Sequence, residues 1–312
     1  MKRLKTQVIV NPESNKGQTR KRWGHIREGI KHFIREFKYE FTDRPLHAIE
    51  LTRAAIKDGI ELVIGVGGDG TMNEIANGFY ENRKIINPEA TLGIVPSGTG
   101  CDLMRSLKIP LKLKDAMSVI TQAPSNAMDV GKVKFRTAGG GFDERFFLNV
   151  ADFGVGGEVV HKVNQRRLER KASSYIRCLV TTMMQYKSKR VRIRVDDRDL
   201  PPGEYLIGAV ANGRIFGKGM KIAPNARLDD GLFDFVYVKS MKFLEFCLNG
   251  WKLMNGTHLN HPKICLIQSR KIEAIPEDER EIVLLELDGE QLGTLPATFE
   301  MVPRSLLIKG YL

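Results

Sequence analysis

The first third of the chain alternates short apolar runs with amphipathic stretches. TQVIVNP (6–12), KYEFT (38–42), ELVIGV (61–66) and TLGIVP (91–96) read as strands, and each is followed by polar or small residues. Helical spacing follows in Thr19–Phe37, HAIELTRAAIKDG closing at Gly59, TMNEIANGFY, Asp102 to Leu107, and DAMSVITQA. Repeated strand–loop–helix units predict a parallel sheet with ligands at the carboxyl ends of its strands.

Near Asn126 the period changes. MDVGKVKF, RFFLNVADFG, KRVRIRVDD, EYLIGAVANG, DFVYVK, KICLIQS, IVLLELDGEQL and ATFEMV alternate or run apolar between turn residues. They predict a second, mainly antiparallel β domain. A helical stretch at roughly Val159–Tyr186 and the helix MKFLEFCLNGWKLMNG interrupt it.

Composition adds a packed core: 42% of the 312 residues are hydrophobic and 28% charged. The net charge of +12 favours polyanions, whether nucleotide, nucleic acid or an anionic membrane. The cysteines Cys101, Cys178, Cys247 and Cys265 form no CxxC pair and read as buried or incidental thiols in a reducing compartment. The apolar run after MKRLK is too short for a signal peptide, and no stretch approaches the ~18 apolar residues of a membrane span. The expectation is a cytoplasmic protein, peripheral to the membrane.

Three segments share one layout, a strand, a small-residue or polar loop and a helix: Asn11–Gly17 (NPESNKG), Gly67–Glu74 (GGDGTMNE) and Pro96–Asp102 (PSGTGCD). Glycine lets a backbone approach a phosphate and turn its N–H groups inward, and the helix N-terminus adds partial positive charge. Hydroxyls of Ser14, Thr71, Ser97 and Thr99 can add hydrogen bonds. GVGGDG also fits the dinucleotide pattern G-x-G-x-x-G, which expects an acid ending the next strand about 20 residues on. Glu89 instead precedes the strand TLGIVP, and Asp69 places a carboxylate inside the loop, so a transferred phosphate fits better than NAD.

GGDGTMNEIANGF and PSGTGCDLMRSL resemble the diacylglycerol kinase catalytic-domain family, which includes bacterial lipid kinases and relatives of sphingosine kinases. FFLNVADFGVGGEV, VANGRIFGKGMKIAPNARLDDGLFDFVYV and LELDGEQLGTLP carry the resemblance over nearly the whole chain. It implies an NAD-kinase/phosphofructokinase-like α/β domain with a parallel sheet over 1–125 and a tail at about 297–312, binding the nucleotide. A mainly antiparallel β-sandwich over 126–296 would hold the lipid and a metal. The implied nucleotide set is Asn11, Pro12, Ser14, Asn15, Thr42, Gly67, Gly68, Asp69, Gly70, Thr71, Asn73, Glu74, Ser97, Thr99 and Asp102. Asn15 stands where the family usually has Gly, and Cys101 where it commonly has Asn; Asn tolerates left-handed backbone geometry better than most residues.

PNARLDDGLFDF and LELDGEQLGTLP each contain Asp-Gly, the plain reading of which is a hairpin turn. The resemblance implies a structural Mg²⁺ held by Asp230 and the main-chain carbonyls of Arg227 and Leu232. It also places a general base in the D-G-E segment, with Glu290 as proton acceptor and Asp288 as its close partner. Asp69 and Asp102 are candidates for a catalytic Mg²⁺ on the nucleotide phosphates.

From Lys162 to Arg194 eleven Lys/Arg stand against one acid, Glu169. A solvated face, nucleic acid and anionic lipid all suit such a stretch, but no nucleic-acid reading motif accompanies it, so no specific nucleic acid is expected. SSYIRCLVTTMMQYKSKR joins an apolar patch to basic flanks, as a bilayer interface needs. The expected activity is phosphate transfer from ATP, with Mg²⁺, to a lipid hydroxyl at an anionic membrane surface, diacylglycerol first. A second copy of the chain is carried as a candidate partner. The alternatives are a sphingoid or polyprenol kinase, and a non-catalytic protein binding anionic lipid or nucleic acid. NAD kinase, which also carries GGDGT, is disfavoured because Asn73-Glu74 follows Thr71 almost at once.

Overall fold

A computed structural model of the chain describes residues 4–165 and 172–312. One unit runs to Val130 and closes with Pro303–Leu312; the other is Gly131–Val302.

In the first unit the chain runs β1 (Thr6–Val10), α1 (Gln18–Phe33), β2 (Lys38–Phe41), α2 (His47–Lys57), β3 (Leu62–Gly67) and α3 (Asp69–Gly78). The small hairpin β4 (Tyr80–Glu81) and β5 (Lys84–Ile85) precedes β6 (Thr91–Pro96), α4 (Asp102–Ser106) and α5 (Leu113–Gln122). β1 pairs in parallel with β2 and β3, and β3 in parallel with β6. Every residue of β1 and β3 is buried, as strands covered on both faces require. Val8, Val10, Ile64 and Val66 pack with Ile26 and Ile30 of α1 and Met117 and Ile120 of α5. On α3, Met72 and Ile75 approach the backbone of Gly65 so closely that a Cβ there would meet them at 2.5 and 2.6 Å. Leu307 and Ile308 return to pair in parallel with Thr91 and Leu92 of β6. Side chains fix that tail: the Tyr80 and Ser305 hydroxyls lie 2.8 Å apart, and Asn126 Nδ2 donates to Gly310 O at 2.8 Å.

The second unit is built from β7 (Ser125–Arg136), β8 (Phe142–Phe147), β9 (Val150–Gly154), α6 (Val155–Gln165), α7 (Ala172–Gln185), β10 (Lys189–Val195) and β11 (Arg198–Asp199). It continues through β12 (Glu204–Ala211), β13 (Phe233–Lys239), α8 (Phe243–Asn249), α9 (Lys252–Asn255) and β14 (Ile264–Ser269). It ends with β15 (Lys271–Pro276), β16 (Leu284–Leu287) and β17 (Glu290–Lys309). β9 lies antiparallel between β12 and β16, and β16 turns back into β17. Phe147 stacks on Phe233 at 5.6 Å, and Phe299 meets Phe147 and Phe153 at 6.5 and 6.3 Å.

Three expectations shift. The boundaries expected at 126 and 297 fall inside β7 and β17, strands too long to stop at a unit's edge. Helix α3 begins at Asp69 rather than at Thr71, because Gly68 is extended (φ −102°) and a carboxylate in a first turn offsets the free N–H groups. The helical stretch expected at Val159–Tyr186 is two helices, α6 starting already at Val155; residues 166–171 between them lie outside the described residues. No helix among the described residues is long and apolar enough to cross a membrane.

Phe299 is fully buried at the centre of the aromatic cluster. Phe299→Ala is expected to cost ~3–5 kcal/mol, read as a lowered midpoint in thermal or denaturant unfolding. An unchanged midpoint would remove this cluster from the stabilising core.

Candidate active site

The register Val10↔Val66 and Gly67↔Pro96 brings the ends of β1, β3 and β6 level, so the three glycine and hydroxyl loops leave the sheet side by side. Asn11 Nδ2 donates to Thr71 Oγ1 at 3.0 Å, joining the first loop to the second. The hydroxyls of Ser14 and Thr19 lie 2.6 Å apart and those of Thr19 and Ser97 2.5 Å apart, joining the first loop to the third. Thr19 is wholly buried. Its only signal in sequence is a hydroxyl in the first turn of a helix, and it was not among the expected site residues. The second and third loops touch backbone to backbone: a Cβ on Gly98 would sit 2.4 Å from Gly68 Cα.

Asn15, Lys16 and Gly17 are all left-handed (φ 52°, 58° and 77°), and the first loop closes on itself: the Gly17, Gln18 and Arg20 N–H groups donate to the carbonyls of Glu13, Asn15 and Pro12 at 3.1, 3.2 and 3.2 Å. Asn15 therefore meets the left-handed requirement that glycine would otherwise serve. The N-termini of α1 and α3 carry no side-chain cap. Pro12 is buried under the loop, Gly70 lies in the first turn of α3, Thr99 is exposed, and the Thr42 N–H donates to Val10 O at 2.9 Å beside the strand ends.

Asp69 has a structural task. Its carboxylate accepts the N–H groups of Asp102 (3.0 Å) and Leu103 (3.1 Å), tying the second loop to the start of α4. Asp102 is buried and pairs with Arg105 at 2.5 Å. Glu74 accepts the N–H groups of Leu46 (3.0 Å) and Ala48 (3.2 Å), and Asn73 accepts from Asn77 Nδ2 at 3.1 Å. Because α3 starts at Asp69, Asn73 and Glu74 fall a turn into the helix, where Glu74 braces it against the start of α2 and Asn73 bonds along α3 to Asn77. Cys101 is left-handed (φ 58°) and buried. Burial and then the Asp69 charge push its thiol up to about 11, so it stays neutral and unreactive.

In the second unit Asp288 and Gly289 form the two-residue tip between β16 and β17, both left-handed (φ 47° and 90°). The hairpin-turn reading of this Asp-Gly holds. The Asp288 carboxylate accepts the N–H groups of Leu148 (2.9 Å), Asn149 (3.0 Å) and Val150 (3.2 Å), and its own N–H donates to Val150 O at 3.0 Å. It is a clamp on the entry to β9. Glu290, two residues on, is half-buried.

Beneath the tip lies a carboxyl pair absent from the expected set. Asp152 and Glu286 are register partners across β9 and β16, and both are buried. Glu286 Oε2 accepts the Gly289 N–H at 2.8 Å. Burial pushes Asp152 up to about 6; burial and then the Asp152 charge hold Glu286 well above the ordinary carboxylate range. Two such groups hold a shared proton. The signal in sequence is an acid inside each of two otherwise apolar strands, VADFG and LEL.

In the turn Arg227–Leu232, Asp230 Oδ1 accepts the Leu232 N–H at 3.0 Å, and Asp229 pairs with Arg227 at 3.3 Å. Asp234 is buried behind it, its carboxyl raised by burial and also by the Asp230 charge. Carboxylate and main-chain oxygens are the donor types a hard cation such as Mg²⁺ takes, and no cluster of three or more His, Cys, Asp or Glu able to hold a metal occurs among the described residues.

Residues 5–133 match the diacylglycerol kinase catalytic domain, and residues 149–309 match the YegS C-terminal NAD kinase beta sandwich-like domain. The chain belongs to this diacylglycerol kinase family. Diacylglycerol kinases of Staphylococcus carnosus (strain TM300) and Staphylococcus aureus (strain bovine RF122 / ET3-1) are 27% and 28% identical. Those alignments cover 95% and 97% of this chain and 92% and 91% of the relatives. A crystal structure of a diacylglycerol kinase from Bacillus anthracis str. Sterne shares the fold, with TM-score 0.72 and 22% identity over 99% of this chain and 98% of that one. Yeast NADH kinase shares it more loosely, with TM-score 0.55 and 11% identity over 99% and 83%. The family member described here is an ATP-dependent lipid kinase, a phosphotransferase with an alcohol acceptor.

The folded kinase holds the Asp152 proton more tightly than the unfolded chain does. The stability this proton confers is complete below about pH 4 and is lost as pH rises through about 6. Asp152→Asn is therefore expected to raise the thermal midpoint at pH 8 by several degrees over the native kinase, with the gain shrinking at pH 5. An equal gain at both pH values would place the proton elsewhere.

Proposed function

We propose that the acceptor is the primary hydroxyl of diacylglycerol, converted to phosphatidic acid at an anionic membrane surface. What carries this reading is likeness along the whole chain: the relatives named diacylglycerol kinase align over 95% and 97% of it.

The phosphates of ATP lie against the N-terminus of α3 and the close-packed glycines Gly68 and Gly98, where the backbone allows near approach and the helix dipole meets negative charge. Asn11, Ser14, Thr71 and Ser97 brace the loops and offer hydroxyl and amide contacts. Glu290 orients the lipid hydroxyl and takes its proton as the oxygen attacks the γ-phosphorus; the new O–P bond forms, the β–γ bridge breaks and ADP leaves. Asp288, committed to three backbone N–H groups, positions the hairpin rather than accepting the proton. Mg²⁺, when bound, offsets negative charge on the nucleotide; a second ion would be held by Asp230 and the carbonyls of Arg227 and Leu232 to stiffen the turn.

Phosphate transfer from γ-labelled ATP, measured with Mg²⁺ on vesicles carrying diacylglycerol, sphingosine or undecaprenol, tests the acceptor. Label in diacylglycerol alone is the expected result; label only in another lipid reassigns it. Glu290→Gln is expected to lose at least ~10²-fold in turnover with ATP affinity and unfolding midpoint unchanged. Asp288→Asn should lose both turnover and stability. If Glu290→Gln keeps native turnover, the base lies elsewhere.

A further inference from the structure

Helices α8 and α9 follow almost one helical path, since the intervening Gly250 (φ −59°, ψ −30°) and Trp251 (φ −61°, ψ −24°) are themselves helical. One side of this path is already covered. Phe243 and Phe246 pack against Val155, Met183, Leu206 and Val238, and Leu253 against Ile222, Ala223 and Val236. The other side is apolar too. Leu244, Cys247, Leu248, Trp251 and Met254 recur every three or four residues, which places them along one stripe. Leu244, Leu248, Trp251 and Met254 are 70%, 66%, 58% and 47% exposed. Isolated exposed side chains need no explanation, but a contiguous stripe opposite a packed face marks a contact surface.

The charges around the stripe say what it meets. Lys242 and Lys252 lie on the same path, and exposed Lys221 is anchored beside it, its N–H donating to Leu253 O at 2.8 Å. The acid of α8, Glu245, is paired with Lys263 at 2.6 Å. An apolar stripe with a tryptophan, framed by lysines whose stems can lie along it, suits the boundary between acyl chains and anionic headgroups. A second copy of a chain of net charge +12 would bring like charges together instead. Helix α7 supports the same layer: Leu179, Met183 and Tyr186 pack in the cluster that holds Phe243 and Phe246, while Met184 and Lys187 remain exposed.

We propose that the outer face of α8–α9, centred on Leu244, Leu248, Trp251 and Met254, is a docking surface that inserts into an anionic lipid bilayer. The proposal rests on the lipid-kinase reading and names the element that brings the enzyme to its acceptor.

The chain has two tryptophans, so Trp23→Phe leaves Trp251 as the sole reporter. With vesicles of phosphatidylcholine and phosphatidylglycerol, its emission is expected to shift to the blue and to be quenched by bromine-labelled acyl chains. Combined Leu244→Ser, Leu248→Ser and Trp251→Ser should lower co-sedimentation with these vesicles at least ~10-fold. The same variant should lose turnover on long-chain diacylglycerol in vesicles but keep it on a dispersed short-chain diacylglycerol. Unquenched Trp251, or native co-sedimentation of the triple variant, overturns the proposal. So does a Trp251 already blue-shifted without lipid, with the variant sedimenting as a smaller particle, which would make the occupant a second copy. Quenching that persists while the native enzyme labels no diacylglycerol supports the docking surface and overturns the acceptor reading instead.

Discussion

The carboxylate of Asp288 is the constraint on which the geometry of the second unit's D-G-E tip depends. It gathers three consecutive N–H groups, those of Leu148, Asn149 and Val150, at the point where the chain enters β9. A side chain on one hairpin tip thereby sets where a strand from another part of the sequence begins. Glu290 sits two residues beyond this anchor, and the Asp152–Glu286 pair lies beneath it. A carboxylate so fully engaged by backbone donors is a poor mobile base and a good fixed point. The division of labour proposed for the two acids of the D-G-E tip follows from that.

The first unit solves the same problem with smaller parts. Its loops come from separate strand ends, and each would be mobile alone. The Ser14–Thr19–Ser97 hydroxyls, the Asn11–Thr71 bond and the Asp69 carboxylate convert them into one cradle. Asp69 resolves an apparent conflict, because an acid in a phosphate loop is repulsive only if it faces the phosphate. Here the carboxylate is taken up by the N–H groups at the start of α4.

What could be read from the residues was what short-range chemistry dictates. Strand ends followed by glycines marked the three loops, and Asp-Gly marked the tip between β16 and β17, because turn geometry is local. Asn15 was recognisable as a left-handed position for the same reason. What escaped was long-range pairing. Nothing near Asp69 announces that its partners are the N–H groups of Asp102 and Leu103, and nothing near Glu286 announces Asp152 across the sheet. In the second half of the basic stretch the fold pairs part of the charge. On β10, Val191, Ile193 and Val195 face the core, while Lys189, Arg190 and Arg194 pair with Glu281, Glu277 and Asp199. Net charge counted along a segment ignores acids that the fold supplies from elsewhere.

The returning tail, in which Leu307 and Ile308 lie beside β6, has a consequence for biosynthesis. Residues 5–133 leave the ribosome early, yet the strand that lies beside β6 is supplied by residues made after the whole second unit. Until then β6 offers unpaired backbone groups on one side, the kind of edge that recruits stray strands. The nascent chain therefore spends most of its synthesis with its first unit one strand short. Ribosome pausing or a chaperone acting late in translation would bear on the yield of this enzyme more than either would early.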